Sequence, residues 1–131
     1  MLQIEPITAF NDNYIWMLIA PELKQAVVVD PGDATPVLQV LQAQQLNLSA
    51  ILATHHHHDH TGGIKTLSQE YPSAPIYAYH ACTKAQFTHP LNNHDTISLF
   101  SDTLQLTTRH VPGHTLDHIA FFNDNALFCG D

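Results

Sequence analysis

A short apolar stretch, Ser49-Ala50-Ile51-Leu52-Ala53, runs directly into Thr54-His55-His56-His57-His58-Asp59-His60-Thr61-Gly62-Gly63. The first segment has the size and composition of a buried strand. The second holds five of the chain's eleven histidines within six positions, interrupted by one aspartate and closed by two glycines. That junction constrains the fold strongly, because the strand must be buried while the donors after it emerge together at one edge. In extended backbone, side chains two apart share a face. His55 and His57 then address one point, while His56 and His58 face away. Asp59 and His60 follow where the backbone turns, and address a second point nearby. Imidazole and carboxylate suit zinc, manganese or ferrous iron. A lone histidine is usually structural, and a tag sits at a terminus; an internal His-x-His-x-Asp-His after a strand points to metal. Gly62-Gly63 is expected to let the chain turn tightly past the site.

Two later segments supply further donors. Val111-Pro112-Gly113-His114-Thr115 presents His114 in a Pro-Gly turn, and Phe128-Cys129-Gly130-Asp131 presents the carboxylate of Asp131 just past an apolar strand. With two oxygens, Asp131 can bridge two ions. Each is weak evidence alone; in this order after the first motif, both read as ligands.

Around these motifs the chain alternates strands and helices early and runs into hairpins later. Tyr14–Ile19 and Gln25–Val29 read as a hairpin, stopped by the turn chemistry of Asp30-Pro31-Gly32-Asp33. Thr35–Leu46 carries Val37, Leu38, Leu41 and Leu46 on a helical face. Gly63–Tyr71 reads as a second helix, Pro75–Tyr79 as a strand and Ala81–Phe87 as a short helix. Strands follow at Thr96–Phe100, Thr103–Thr108, His118–Phe122 and Ala126–Cys129. This order predicts an α/β arrangement of layers around mixed sheets in a single domain.

Bulk properties exclude several function classes. Four Lys and Arg stand against twelve Asp and Glu, for a formal net charge of -8. A nucleic-acid partner requires a basic footprint that this chain lacks. No stretch reaches the roughly 20 apolar residues of a membrane span, and the N-terminus does not read as a signal peptide. Cys82 and Cys129 are too few and too far apart for a framework. The expectation is a cytoplasmic protein with reduced thiols, Cys129 being a buried small apolar side chain.

The His-x-His-x-Asp-His motif, the Pro-Gly-His-Thr turn and the Cys-Gly-Asp ending resemble the metallo-β-lactamase superfamily. Within it, Phe10-Asn11-Asp12-Asn13-Tyr14-Ile15-Trp16, Val29-Asp30-Pro31-Gly32-Asp33 and Thr54–Gly63 are similar to the bacterial glyoxalase II family of hydroxyacylglutathione hydrolases, across essentially the whole chain. The resemblance implies a metallo-β-lactamase-type αββα sandwich with two divalent metal ions at one edge, most often zinc, with iron or manganese as alternatives. By the family pattern His55, His57 and His114 hold one ion, Asp59 and His60 hold the other, and Asp131 bridges them. Asp30 is either an orienter of this site or a plain turn residue. The implied reaction is hydrolysis of an S-(2-hydroxyacyl)glutathione such as S-lactoylglutathione to glutathione and a 2-hydroxy acid, the final step of methylglyoxal detoxification. Asp59 orients the attacking hydroxide, and no Ser or Cys nucleophile is used.

The family's chain continues past the Cys-Gly-Asp point, with one more histidine ligand and a helical domain that contacts glutathione. The expectation is therefore that residues 1–131 form only the N-terminal part of the fold, a truncated form whose own activity is open. The whole enzyme is expected to be monomeric, whereas this piece would expose unpaired apolar strand edges prone to self-association. Asp117 stands where the family usually has a small residue. Rival readings are another hydrolase of the fold, a single-iron glutathione persulfide dioxygenase, and a non-catalytic metal-binding fragment. A β-lactamase of the main dizinc group would tend to carry Cys at the position of Asp131.

Overall fold

A computed structural model of the chain describes residues 2–10, 13–81, 87–111 and 118–129, with His58 and Asp59 described in backbone only. In chain order the elements are β1 (Gln3–Ala9), β2 (Asn13–Ala20), a 3-10 turn (Pro21–Leu23), β3 (Gln25–Val29), α1 (Ala34–Ala43), β4 (Asn47–Leu52), α2 (His58–Thr61), α3 (Ile64–Glu70), β5 (Ile76–Tyr79), β6 (His89–Leu91), β7 (Thr96–Leu99), β8 (Leu104–His110), β9 (Ile119–Phe122) and β10 (Leu127–Phe128). The first six strands form one sheet in sequence order, and the last four form a second sheet in the order β10-β9-β8-β7.

Period-two alternation divides the apolar residues between two cores. In β2, Ile15, Met17 and Ile19 face one way and Leu18 and Ala20 the other. In β3, Ala26 and Val28 join the first group and Val27 and Val29 the second. The first core lies under α1 and α3, filled from the helices by Val37, Leu41, Ile64 and Leu67. The second lies between the sheets, where Leu106, Ile119 and Phe121 meet Val27, Val29 and Leu52. The layers run helix, sheet, sheet, which is the αββα sandwich in part.

β4 carries a register shift against β3 between Ala26 and Val27. The extra residue is Ser49, whose Oγ donates to the Ala26 carbonyl at 3.2 Å. This bulge puts Leu48 in the helix-side core and Ala50 in the inter-sheet core, although they are two apart. From Ala50 onward the alternation is regular, so the bulge sets which way Thr54 and the histidines leave the strand.

The expected hairpin is β2–β3, paired antiparallel from Trp16–Val29 to Ala20–Gln25. Asp33 opens α1, its side chain accepting from the Thr35 amide at 3.1 Å. The helix ends at Ala43 rather than Leu46. Gln45 turns left-handed (φ 55°) and the Leu46 amide reaches back to the Leu41 carbonyl at 2.9 Å, an end motif that buries Leu46 beside the helix. The expected helix over 81–87 falls largely outside the described residues. Cys129 is exposed, correcting the expectation of a buried thiol: it follows β10, the last described strand of the second sheet, and lies outside its apolar core. No helix among the described residues is long and apolar enough to cross a membrane.

Candidate metal centre

β3, β4, β5 and β6 pair in parallel, so their carboxyl ends share one edge, where open α/β sheets commonly bind ligands. Two of these ends carry the polar groups. Asp30 follows β3, held there by its amide donating to the Leu52 carbonyl at 2.8 Å. Its φ of 55° turns the side chain back toward β4, a left-handed conformation that aspartate tolerates better than most residues. Such a backbone state costs about 1–3 kcal/mol and persists where surrounding contacts fix it.

Those contacts are specific. Asp30 is buried. Its Oδ1 accepts from the Thr54 amide at 2.7 Å, and its Oδ2 accepts from Thr54 Oγ1 at 2.6 Å and pairs with His60 Nδ1 at 3.1 Å. Thr54 Oγ1 also lies 2.9 Å from His55 Nδ1. Proton counting then assigns both rings. A hydroxyl has one proton, and Thr54 gives it to Asp30, so it must accept from His55 Nδ1–H. His60 likewise donates from Nδ1 to the carboxylate. In the neutral form both imidazoles then keep the lone pair on Nε2, the form a metal ion needs, with the partner nitrogen fixed by an outer hydrogen bond.

The rings converge. His55 lies 4.3 Å from His60, 4.9 Å from His57 and 4.8 Å from His118, centroid to centroid. His55, His60 and His118 are buried, and His57 is half-buried. One donor atom each of Asp30, His55 and His60 falls within 4.8 Å of the others, a grouping able to hold an ion. Because both Asp30 oxygens are already engaged by Thr54 and His60, Asp30 serves as the support and the histidines as the donors. Clustered imidazoles with fixed tautomers and an anionic support suit a divalent ion of borderline softness.

β4 ends at Leu52 and the chain bends at Thr54 and His55 before α2 begins at His58. Strand alternation therefore does not run through the motif. His55 and His57 are brought together by the bend, and His60 by the first turn of α2, whose amide donates to the His57 carbonyl at 2.9 Å. His56 is half-buried, its ring 5.2 Å from that of His57. Thr61 Oγ1 ties the bend by donating to the His57 carbonyl at 3.1 Å. His114 and Asp131 lie outside the described residues, and Asp117 with them; Asp59 is placed by its backbone in α2.

Sequence reasoning missed Thr54 and His118 as members of the site. Thr54 stands beside the histidine run, but nothing in the sequence gives its hydroxyl a task. The apolar pattern starts a strand at His118, whereas β9 starts one residue later at Ile119. Gly63 has ordinary helical torsions (φ -90°, ψ -7°), so it is not needed for a turn. It is needed for close approach: a Cβ there would sit 2.6 Å from the Ala34 nitrogen, 2.7 Å from the Pro31 oxygen and 2.8 Å from the Asp33 carbonyl carbon.

Burial is the main force holding the His55 pKa down to about 4, helped by the positive charge that His60, His118 and His57 would carry and opposed by Asp30. The unfolded side chain titrates near 6.5. Between these values the unfolded chain binds more protons than the folded one, so stability is complete above about pH 6.5 and falls as pH drops toward 4. The denaturation midpoint of the metal-free chain is expected to be lower at pH 5 than at pH 7.5. The difference should shrink in His55→Asn; equal pH dependence in the two proteins would refute the assignment.

Comparison with known proteins agrees with this geometry. The sequence profile described as the metallo-beta-lactamase superfamily matches residues 15–131. The chain is 47% identical over 131 residues to a hydroxyacylglutathione hydrolase of Nitrosomonas eutropha, covering 100% of this chain and 50% of that protein. It is 48% identical to the hydroxyacylglutathione hydrolase of Photobacterium profundum, again over the whole chain and 51% of the relative. The chain thus spans about half the length of the curated relatives it matches. Among solved structures, the BLEG-1 B3 metallo-beta-lactamase superposes with a TM-score of 0.72 at 25% identity, covering 93% of this chain and 66% of that one. TTHA1623 in a di-iron-bound form gives 0.69 at 26% identity, with 90% and 66% covered. With the profile spanning most of the sequence and the histidine cluster at the carboxyl edge of a layered sheet, the chain belongs to the metallo-beta-lactamase superfamily.

Proposed function

We propose that this chain is the N-terminal, metal-binding part of a cytoplasmic glutathione thioesterase that hydrolyses S-(2-hydroxyacyl)glutathione. The observation that carries the hydrolytic reading is the convergence of His55, His57 and His60 beside the Asp30–Thr54 pair. The substrate class is supported by the relatives, which are named hydroxyacylglutathione hydrolases and align with every residue of the chain.

In this reading His55, His57 and His114 would hold one divalent ion and Asp59 and His60 a second, with Asp131 serving both sites. When bound, such ions acidify water to hydroxide near neutral pH and polarise a carbonyl. The chain's own residues supply the rest. Thr54 and Asp30 hold His55 and His60 as Nε2 donors. Asp59 directs the attacking oxygen toward the thioester carbon. Water adds there, the carbon–sulfur bond breaks, and glutathione leaves as a thiolate that needs little acid assistance. Zinc is the favoured metal on donor chemistry, since imidazole and carboxylate suit it; iron has a precedent in the di-iron-bound TTHA1623.

Hydrolysis of S-lactoylglutathione by the 131-residue chain, with and without chelator, tests the proposal. Turnover abolished by chelator and restored by zinc is the expected result for a competent site. Stoichiometric metal without turnover would favour the non-catalytic fragment reading, which the half-length coverage of the relatives supports. Absence of bound metal would reject both.

The second sheet has four described strands against six in the first, and β10 pairs only with β9 among the described residues. Exposed Leu127 stands on that edge. In the 131-residue chain this edge is expected to drive self-association, visible as concentration-dependent sedimentation that Leu127→Lys reduces. A monomer at all concentrations would refute it.

A further inference from the structure

We infer that the Thr54 hydroxyl is a relay through which one carboxylate holds two imidazoles, so that Thr54 is a positioning residue for His55; the inference rests on the metal-centre reading above. Thr54 and Asp30 are both buried. Asp30 Oδ2 meets His60 directly, 3.1 Å from Nδ1. It reaches His55 through Thr54 Oγ1, which lies 2.6 Å from Oδ2 and 2.9 Å from His55 Nδ1. A carboxylate against the outer nitrogen is a common support for a ligating histidine. His60 has that support in its direct form, whereas a hydroxyl stands between Asp30 and His55.

The backbone keeps the hydroxyl in place. The Thr54 amide donates to Asp30 Oδ1 at 2.7 Å, and the Thr54 carbonyl accepts from the Ile119 amide at 2.8 Å. Both ties survive a change of side chain. The hydroxyl spends its one proton on Asp30 and accepts from His55 Nδ1 with a lone pair. Donation to a carboxylate polarises the hydroxyl and makes its oxygen a stronger acceptor, so the charge of Asp30 acts on His55 without touching it. An unrestrained imidazole in water prefers its proton on Nε2. The relay reverses that preference and leaves the Nε2 lone pair for an ion. Loss of the hydroxyl should therefore release His55 while His60 stays tied to Asp30.

Two substitutions isolate the hydroxyl. Thr54→Val keeps the shape and removes the relay, and Thr54→Ser keeps the relay and removes the methyl. Long-range proton–nitrogen correlation spectra of the metal-free 131-residue chain at pH 7.5 show which ring nitrogen carries each proton. Zinc titration then measures affinity. In the parent and in Thr54→Ser, His55 and His60 are both expected with the proton on Nδ1. In Thr54→Val, His55 is expected to move its proton to Nε2 while His60 does not change. Loss of an outer partner typically weakens a metal site about 10- to 100-fold. That loss is expected for Thr54→Val, with Thr54→Ser close to the parent.

A parental His55 protonated on Nε2 would overturn the inference. Parental tautomers or parental affinity in Thr54→Val would do so as well. Equal losses in the two variants would also overturn it, because the hydroxyl would then not be what the site requires. Should Thr54→Val fail to fold, Thr54→Ser decides: parental tautomers and affinity support the relay, and altered ones reject it. Failure of the parent to bind zinc would reject the metal-centre reading, while the metal-free spectra still decide whether Thr54 sets the His55 tautomer.

Discussion

Replacing His55 by alanine is expected to abolish metal uptake by the chain, whereas replacing His56 leaves it nearly unchanged. The two residues are adjacent and chemically identical, so the contrast tests geometry alone. His55 is 1% exposed, its Nδ1 is bonded to Thr54, and three other imidazoles surround it. Loss of a residue that merely supports a ligand weakens binding about 10- to 100-fold, so loss of the ligand itself should exceed about 100-fold. His56 is half-buried, and its ring lies 5.2 Å from that of His57. Its removal should stay within about 0.5 kcal/mol, or roughly twofold. Competition against a chromophoric chelator measures both affinities. Equal effects of the two substitutions would sink the ligand assignment.

Gly63→Ala is expected to be the most damaging single methyl addition at the site. Its Cβ would approach three backbone atoms of the 31–34 loop at 2.6–2.8 Å, and backbone cannot rotate aside as a side-chain tip can. The loop is also fastened: the Gly63 amide donates to the Pro31 carbonyl at 2.8 Å, and Asp33 caps α1. Relief therefore requires moving the loop as a unit, and Asp30 immediately precedes it. Overpacking of this kind costs about 1–3 kcal/mol, with the upper end expected here. The same displacement should weaken metal binding by about tenfold through Asp30. Denaturant midpoint and metal affinity should fall together. A variant as stable as the parent would show that the loop yields freely, contrary to the contacts described.

The elements legible in the sequence are those buried on both faces or bounded by strong turn chemistry. The β2–β3 hairpin, β4 and the helices that follow Asp33 and Gly63 fall in this group. Two edge strands were not legible. β1 contains Pro6 and exposes alternate residues to solvent, and β6 is three residues long with Pro90 at its centre. Proline on an edge costs no ladder bond when its nitrogen faces outward, so the strand survives although its pattern is weak. At the site, residue types pointed to a cluster of donors able to hold a metal, but the tasks of Asp30, Thr54 and Gly63 depend on contacts between distant segments. Asp30 and Thr54 are 24 positions apart. Nothing local in Gly63 distinguishes a turn glycine from one that admits a neighbouring backbone.

The unequal width of the two sheets leaves the chain with a built-in optical reporter. Trp16, its single tryptophan, lies on the face of β2 that Leu18 turns toward the second sheet, which has four strands among the described residues. It is 37% exposed, with Tyr14 at 6.1 Å. It also pairs with Val29, the residue before Asp30. Its fluorescence in the isolated chain should resemble that of a wetted indole and yield to soluble quenchers. A blue shift would report anything that comes to lie over this flank.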